Sequence, residues 1–319
     1  MSTDHHHNAE RPPVVVIAGP TASGKSALAV TLAQRMKGEV VNADSMQVYR
    51  DLPVLTAIPD HDERQGVAHH GYGVLDGAER CSVGRWMELT RGYIEEIWRR
   101  GGVPILVGGT GMYIRAALEG ISPMPDIDPK FRDQATAMLA AMGGAGFRAE
   151  LMARDPVLAA RLNDGDSQRL IRGMEIVLAT GTPLSAWQDK PPQGAIAADF
   201  TTIRIAPPRE ELYARIDQRF PMMLKAGGVE EARALMARAL DPSLPLMKAV
   251  GFPPIADYLR GATSRDDAVE LACRDSRRYA KRQTTWFNNQ FAANFCEDSS
   301  YNAQYSESFI DKILSKVIL

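Results

Sequence analysis

The run Pro13-Val-Val-Val-Ile-Ala18, followed at once by Gly19-Pro-Thr-Ala-Ser-Gly24-Lys25-Ser26, constrains this chain more than any other segment. Six consecutive apolar residues fit a strand buried on both faces of a parallel sheet. The next eight match GxxxxGK[ST] and lead into a helix pattern from Lys25 to Met36. Glycines let successive N–H groups turn inward around an oxyanion, and the helix N-terminus adds positive potential. Lys25 adds a full charge, and the Ser26 hydroxyl suits Mg²⁺. Gly19, Thr21, Ala22, Ser23, Gly24, Lys25 and Ser26 are therefore candidate ligands of a phosphate or diphosphate. The motif alone does not say which phosphorylated molecule sits there or which bond breaks.

Strand and helix patterns alternate through the first ~120 residues. Glu39–Asp44 and Val103–Val107 read as further strands, with helices at Val83–Arg100 and Met112–Leu118. Gly120 to Pro129 carries three prolines and reads as a boundary. Four helical patterns follow: Phe131–Met142, Phe147–Arg154, Pro156–Leu162 and Asp166–Thr180. After a second Pro-containing loop, Phe200–Ala206 alternates like a strand. Pro208 then opens a helix through Lys225, and helices run on to about Phe291. These patterns predict a P-loop-type α/β core at 13–121 and 200–293, a mainly helical insert at 122–199, and tails at 1–12 and 294–319.

Composition narrows the function classes. Lys plus Arg is 37 and Asp plus Glu is 39, a formal net charge of −2, which excludes a globally basic nucleic-acid binder but not a local patch. No run approaches ~18 apolar residues, so no membrane span is expected. The N-terminus lacks a charged region followed by an apolar one, so no secretory signal is expected. Cys81, Cys273 and Cys296 form no disulfide framework, which suits a reducing cytoplasm. His5, His6 and His7 are set aside as a terminal run. His69 and His70 read as structural, because two adjacent histidines do not complete a metal site.

The third strand ends in Gly108-Gly109-Thr110, where a typical P-loop ATPase places an acid for magnesium. The nearest strand-terminal acid is Asp44. On the residues alone it fits a general base, a carboxylate behind a magnesium ion, or a helix cap. Thr110 places a hydroxyl at the same sheet edge. Further along, Arg274 to Arg282 holds five basic residues and one acid, with Arg274, Arg278 and Arg282 at helical spacing. Such a stripe, with Lys281 beside it and interleaved aromatics, is either a solvated helix face or a local RNA contact. Gln168, Arg169 and Arg172 form a smaller cluster of the same kind.

Several separated motifs together resemble the tRNA dimethylallyltransferases, also called tRNA isopentenyltransferases. They are GPTASGKS at 19–26, Asn42-Ala-Asp-Ser-Met-Gln-Val-Tyr49, His69-His70, LVGGTGMYI at 106–114, Asp166-Ser-Gln-Arg169, RIDQRF at 215–220, Gly227-Gly-Val-Glu-Glu231 and Tyr279-Ala-Lys-Arg-Gln-Thr-Thr-Trp-Phe287. The resemblance covers about residues 13 to 291 and implies a P-loop core with an inserted tRNA-binding domain. It implies transfer of a dimethylallyl group from dimethylallyl diphosphate to the exocyclic amine of an adenosine. That adenosine lies 3′ of the anticodon in tRNAs reading U-initial codons. Asp44 would be the base, with Lys25, Thr110 and Arg219 as catalytic partners and Mg²⁺ at Ser26. Asp44, Ser45, Met46 and Gln47, with Gln168, Arg169, Leu170, Ile171 and Arg172, would line the path of the tRNA anticodon stem-loop. Arg278, Lys281 and Arg282 would support it. A cytoplasmic monomer is expected.

The chain departs from the family's usual pattern in places. Leu55 stands where a glycine is usual and Ile58 where a lysine is usual. Pro253-Pro254 replaces a polar pair, and Asn288 replaces an arginine. Two alternatives share the phosphate loop: a small-molecule kinase, and a prenyltransferase acting on free adenine nucleotide. The missing acid after the third strand argues against the first; the long second domain and the basic stripe argue against the second, because a mononucleotide needs no such surface.

Overall fold

The computed structural model describes residues 11–299 and 307–318; the His5–His7 run lies outside them. The chain divides into two compact units, Met1–Leu118 with Ile196–Leu319, and Glu119–Ala195. The expected insert, 122–199, begins three and ends four residues too late. Hydrogen bonds set the boundary: Ile196 N donates to Ala117 O (3.0 Å), while Ile121 and Gln193 exchange a reciprocal pair (3.0 and 2.9 Å).

In chain order the elements are β1 (Pro13–Ala18), α1 (Lys25–Met36), β2 (Gly38–Asn42), α2 (His61–Arg64), β3 (His69–His70), α3 (Val83–Arg99), β4 (Val103–Gly108) and α4 (Gly111–Glu119). The helical unit follows with α5 (Pro129–Arg154), α6 (Pro156–Ala160), α7 (Ser167–Thr180) and α8 (Leu184–Gln188). Then come β5 (Asp199–Ile205), α9 (Arg209–Met223), α10 (Val229–Ala237), α11 (Phe252–Leu259), α12 (Arg265–Gln290), β6 (Phe295–Glu297) and α13 (Glu307–Ile318). The six strands form one parallel sheet in the order β3-β2-β4-β1-β5-β6. β1 lies inside it, and Val14 to Ala18 are fully buried, as the unbroken apolar run requires.

The expected tail from 294 is instead part of this unit. β6 pairs with β5, Ile203 opposite Phe295, and so covers an edge that would otherwise be unpaired. Ile310 and Ile313 of α13 are buried in the same cluster as Leu28 and Leu32 of α1. Arg35 pairs with Glu307 (3.2 Å) and Asp311 (3.4 Å). Burying two isoleucines contributes roughly 3–6 kcal/mol before the cost of ordering the helix. β3 was not anticipated, since two residues carry no periodicity. His70 Nε2 lies 2.6 Å from Glu39 Oε2 and His69 Nδ1 lies 2.9 Å from Val67 O, which makes the pair structural.

The helical unit has its own core of Phe147, Leu151, Leu158, Leu170, Met174 and Leu184. α5 joins two of the expected helices across a kink at Gly143, whose φ of 69° is non-helical.

Candidate active site

The carboxyl ends of β1, β4 and β2 lie side by side, with Ala18 opposite Gly108 and Asn42 opposite Val107. Ligands of open parallel sheets bind outside this edge. In the sheet-bearing unit it opens into a cavity of about 680 Å³. The wall carries five cationic side chains, Lys25, Arg215, Arg219, Lys248 and Arg282, against two carboxylates, Asp44 and Glu63. That excess suits a multiply charged anion. Leu55, Pro59, Phe220, Met222 and Met223 add apolar wall, so the chamber fits an anion that bears a hydrocarbon group.

The phosphate loop begins this wall. Gly24 caps α1 with φ 87°, and the first N–H groups of a helix have no partner within it. Lys25 Nζ donates to Pro20 O (3.2 Å). Burial pulls the Lys25 pKa down to about 8, with Asp44 opposing the shift and Arg219 assisting it. The buried Ser23 hydroxyl has no partner among the described residues, and Ser26 is exposed. Arg219 is half-buried, and desolvation lowers its pKa. Ala22 O accepts from Arg215 (3.2 Å).

Two expected ligands are placed otherwise. Thr21 N donates to Gln283 Oε1 (2.9 Å) and is therefore already engaged. Gly19 is buried and does not line the cavity; a Cβ there would stand 2.6 Å from Ile205 O. Its role is to let β1 leave the sheet beside β5.

Asp44 sits in a braced loop. Ala43 is tied to β4 through Val107 O (2.8 Å), and its carbonyl accepts from Thr110 N (3.2 Å). Asn42 Oδ1 accepts from Asp44 N (2.8 Å), and Asn42 Nδ2 donates to Asp44 O (3.0 Å) and Gly71 O (3.1 Å). Asp44 Oδ1 accepts from Met46 N (2.9 Å). Oδ2 takes no protein hydrogen bond among the described residues, and Asp44 lines the cavity. Thr110 stands one layer behind. Its hydroxyl accepts from Ser45 N (2.9 Å) and donates to Ser45 Oγ (3.2 Å), and it is not part of the cavity wall. Gln47 lines the cavity, but its amide nitrogen is committed to Thr56 O (2.9 Å) and Ala57 O (2.7 Å).

Burial raises the phenol pKa values of Tyr72 and Tyr279, and the charge of Asp44 raises them further, so both line the cavity as neutral hydroxyls at neutral pH. The loop at 54–57 is held from α10, where Glu231 accepts from Val54 N (2.7 Å) and Leu55 N (3.0 Å). The Leu55 side chain fits because Gly228 leaves room; a Cβ there would come within 2.9 Å of it. Asn288 accepts from Arg204 (3.2 Å), and Pro253-Pro254 occupies the first turn of α11, where N–H groups are dispensable.

The basic stripe lies on α12 as expected. Arg278, Lys281 and Arg282 are exposed, and Arg282 also lines the cavity. Arg277 is paired with Asp217, and Arg278 lies 3.5 Å from Asp275. In the helical unit, Gln168 and Arg169 are exposed on α7. Leu170 is fully buried in that unit's core, Ile171 packs against it, and Arg172 pairs with Glu175 (3.1 Å). Burial removes Leu170 from the expected tRNA-lining set. Sequence reasoning missed Tyr72, Arg215, Lys248 and Gln283. Only Gln283 left a trace, a polar residue in register with the apolar positions Ala280 and Phe287.

A parallel sheet with a phosphate loop after its first strand, and a braced carboxylate after its second on the same cavity wall, defines a P-loop protein. The IPP transferase family model matches residues 47–290, and the Isopentenyl transferase model matches 12–70. A tRNA dimethylallyltransferase of Maricaulis maris is 50% identical, covering 88% of this chain and 91% of its own. The crystal structure of the full-length tRNA isopentenylpyrophosphate transferase from Bacillus halodurans matches with 32% identity and a TM-score of 0.70, over 97% of both chains. A eukaryotic dimethylallyltransferase, captured acting on tRNA, matches with 27% identity and a TM-score of 0.76, over 96% of this chain and 80% of its own. The chain belongs to the IPP transferase family.

Proposed function

We propose that this protein transfers a dimethylallyl group from dimethylallyl diphosphate to the exocyclic amine of an adenosine in tRNA, releasing diphosphate. The acceptor is the adenosine 3′ of the anticodon in tRNAs reading U-initial codons. The observation that carries the reading is Asp44. One of its oxygens is held by Met46 N, the other is unpartnered, and it shares a cavity wall with Lys25 and Arg219.

The chemistry needs that arrangement. The adenine amine is a weak nucleophile because its lone pair is delocalised into the ring. As its nitrogen bonds to the allylic carbon, Asp44 Oδ2 takes a proton. The carbon–oxygen bond breaks, and its electron pair leaves on the diphosphate. Charge growing there is met by the N–H groups at the start of α1, by Lys25 and by Arg219. The buried Ser23 hydroxyl is a further donor for that anion. Thr110 acts through Ser45, holding the Asp44 loop in place.

Among the described residues no group of three or more His, Cys, Asp or Glu is placed to hold a metal ion. Mg²⁺ fits all the same, because it is commonly held by substrate phosphates and one or two protein oxygens. The Ser26 hydroxyl would hold it, and when bound it would add positive charge at the leaving oxygens.

The acceptor base must leave the anticodon-loop stack to reach Asp44. Exposed Arg278, Lys281 and Arg282 support the RNA backbone, as do Gln168 and Arg169. Among the described residues no helix is long and apolar enough to cross a membrane. The three free cysteines fit work in a reducing compartment such as the cytoplasm.

The test is incubation with labelled dimethylallyl diphosphate, Mg²⁺ and unmodified tRNA, with AMP and ATP as parallel acceptors. Label in prenylated adenosine from tRNA alone is expected. Label or phosphate on a small molecule, with none in tRNA, would overturn the reading.

A further inference from the structure

The motif Tyr279-Ala-Lys-Arg-Gln-Thr-Thr-Trp-Phe287 contains one residue that neither the basic stripe nor the apolar core explains. Gln283 is on the buried side of α12, 5% exposed, with Ala280 and Phe287. Its Oε1 accepts from Thr21 N in the phosphate loop (2.9 Å), and its Nε2 donates to Gly109 O just past β4 (2.9 Å). A backbone N–H needs an acceptor and a carbonyl needs a donor, and the neutral amide in this one orientation satisfies both, as an ionised carboxylate or an apolar side chain could not. Gly109 is matched to it, since a Cβ there would stand 2.1 Å from Gln283 Nε2.

The two ends of this bridge belong to different halves of the site. Thr21 opens the loop that holds Lys25 and Ser26. Gly109 adjoins Thr110, which braces Ser45 and, through Ala43, the Asp44 loop. Tyr279, one turn earlier on α12, lines the cavity together with Lys25 and Asp44.

We propose that Gln283 is a positioning residue that fixes the separation between the diphosphate seat and Asp44. Resting on the function proposed above, it touches neither substrate and acts on the distance between the reacting groups. Transfer depends steeply on that distance, and a misplacement of about 1 Å can cost about 100-fold in rate.

The experiment compares wild type, Gln283→Leu and Gln283→Glu in steady-state transfer to tRNA, with thermal melts alongside. Gln283→Leu is expected to lose kcat by about 100-fold while KM for each substrate changes by less than about threefold. Gln283→Glu is nearly isosteric. Ionised, it sets a carboxylate oxygen against Gly109 O; protonated, it restores both hydrogen bonds, and burial favours protonation. Its rate relative to wild type should therefore climb as pH falls from 8 to 5.5, while that of Gln283→Leu stays flat. A merely structural residue would give no such pH recovery, and the Glu variant carries the test if the Leu variant fails to fold. A kcat for Gln283→Leu within a few-fold of wild type, or a flat ratio for Gln283→Glu, would overturn the proposal. An inactive wild type would instead sink the function itself.

Discussion

The helical unit and the cavity of the sheet-bearing unit treat their carboxylates and serine hydroxyls in opposite ways. In the helical unit, Asp155 is fully buried and saturated. It accepts from Leu158 N (3.0 Å), Ser185 Oγ (2.7 Å) and Ser185 N (2.9 Å). Glu175 is buried between Arg132 (3.3 Å) and Arg172 (3.1 Å). In the cavity, Ser23 Oγ is orphaned, Lys25 is depressed by burial, and Asp44 keeps one oxygen unpartnered. Folding penalises unsatisfied buried groups, so the orphaned Ser23 hydroxyl in a phosphate loop, with an open carboxylate oxygen on the same wall, marks where a ligand completes the hydrogen bonds. In the helical unit the same residue types serve the fold.

Two substitutions set that comparison in its sharpest form. Asp44→Ala should lower kcat by about 10³-fold, within the range for losing a general base, while diphosphate binding and melting temperature stay near wild type. Activity within tenfold of wild type would show that Asp44 is not the base. Asp155→Ala should do the reverse. It strands Ser185 and the start of α6 and is expected to cost ~3 kcal/mol of stability, read by denaturant unfolding. Unchanged unfolding would place Asp155 outside the set of groups that hold this unit.

Sequence patterns disclosed the strands and helices of the sheet because buried parallel strands are unbroken apolar runs. α1 begins and ends where its pattern does. They missed β3, which is too short to show a period, and β6, whose three residues join the sheet only because β5 has an open edge. Lys25, Ser26 and Asp44 were legible because a phosphate loop and a strand-terminal acid are local features. Tyr72, Arg215 and Lys248 were not, because they reach the site from remote segments and local spacing carries no record of such contacts; Gln283 showed only as a polar residue in register with Ala280 and Phe287, which does not name its partners. Leu170 erred the other way. The motif groups it with polar neighbours on the tRNA path, yet at helical spacing it turns into the core with Met174.

The electrostatics of the cavity offer a third, smaller effect. Lys25 is held to about pH 8 mainly by burial, and only its charged form attracts a diphosphate. Below pH 8 the charge is present, and above it is lost. Affinity for inorganic diphosphate should therefore fall about tenfold from pH 7 to pH 9. Lys25→Met should bind more weakly at pH 7 and show little of that slope. Titration calorimetry in buffers of different ionisation enthalpy should also show proton uptake on binding near pH 8, because the bound anion stabilises the protonated lysine. No uptake would mean that Lys25 is already fully charged in the empty site.

The smallest effect concerns α12, where a structural and an electrostatic face share one helix. Its buried face holds Ala280, Gln283 and Phe287, while Lys281 and Arg282 are exposed on the other. Counterion release ties each phosphate contact to the salt dependence of binding, at about 0.7–0.9 in slope per phosphate. Lys281→Ala should weaken tRNA binding several-fold at low salt, lower the slope of log K against log salt by nearly one, and leave melting unchanged. Arg282→Ala should do the same and also raise KM for the prenyl diphosphate, since Arg282 reaches the cavity wall. If both variants keep the wild-type salt slope, the stripe is a solvated face. The RNA backbone must then be held by Arg169 and its neighbours on α7, where Arg169→Ala would take over the change in slope.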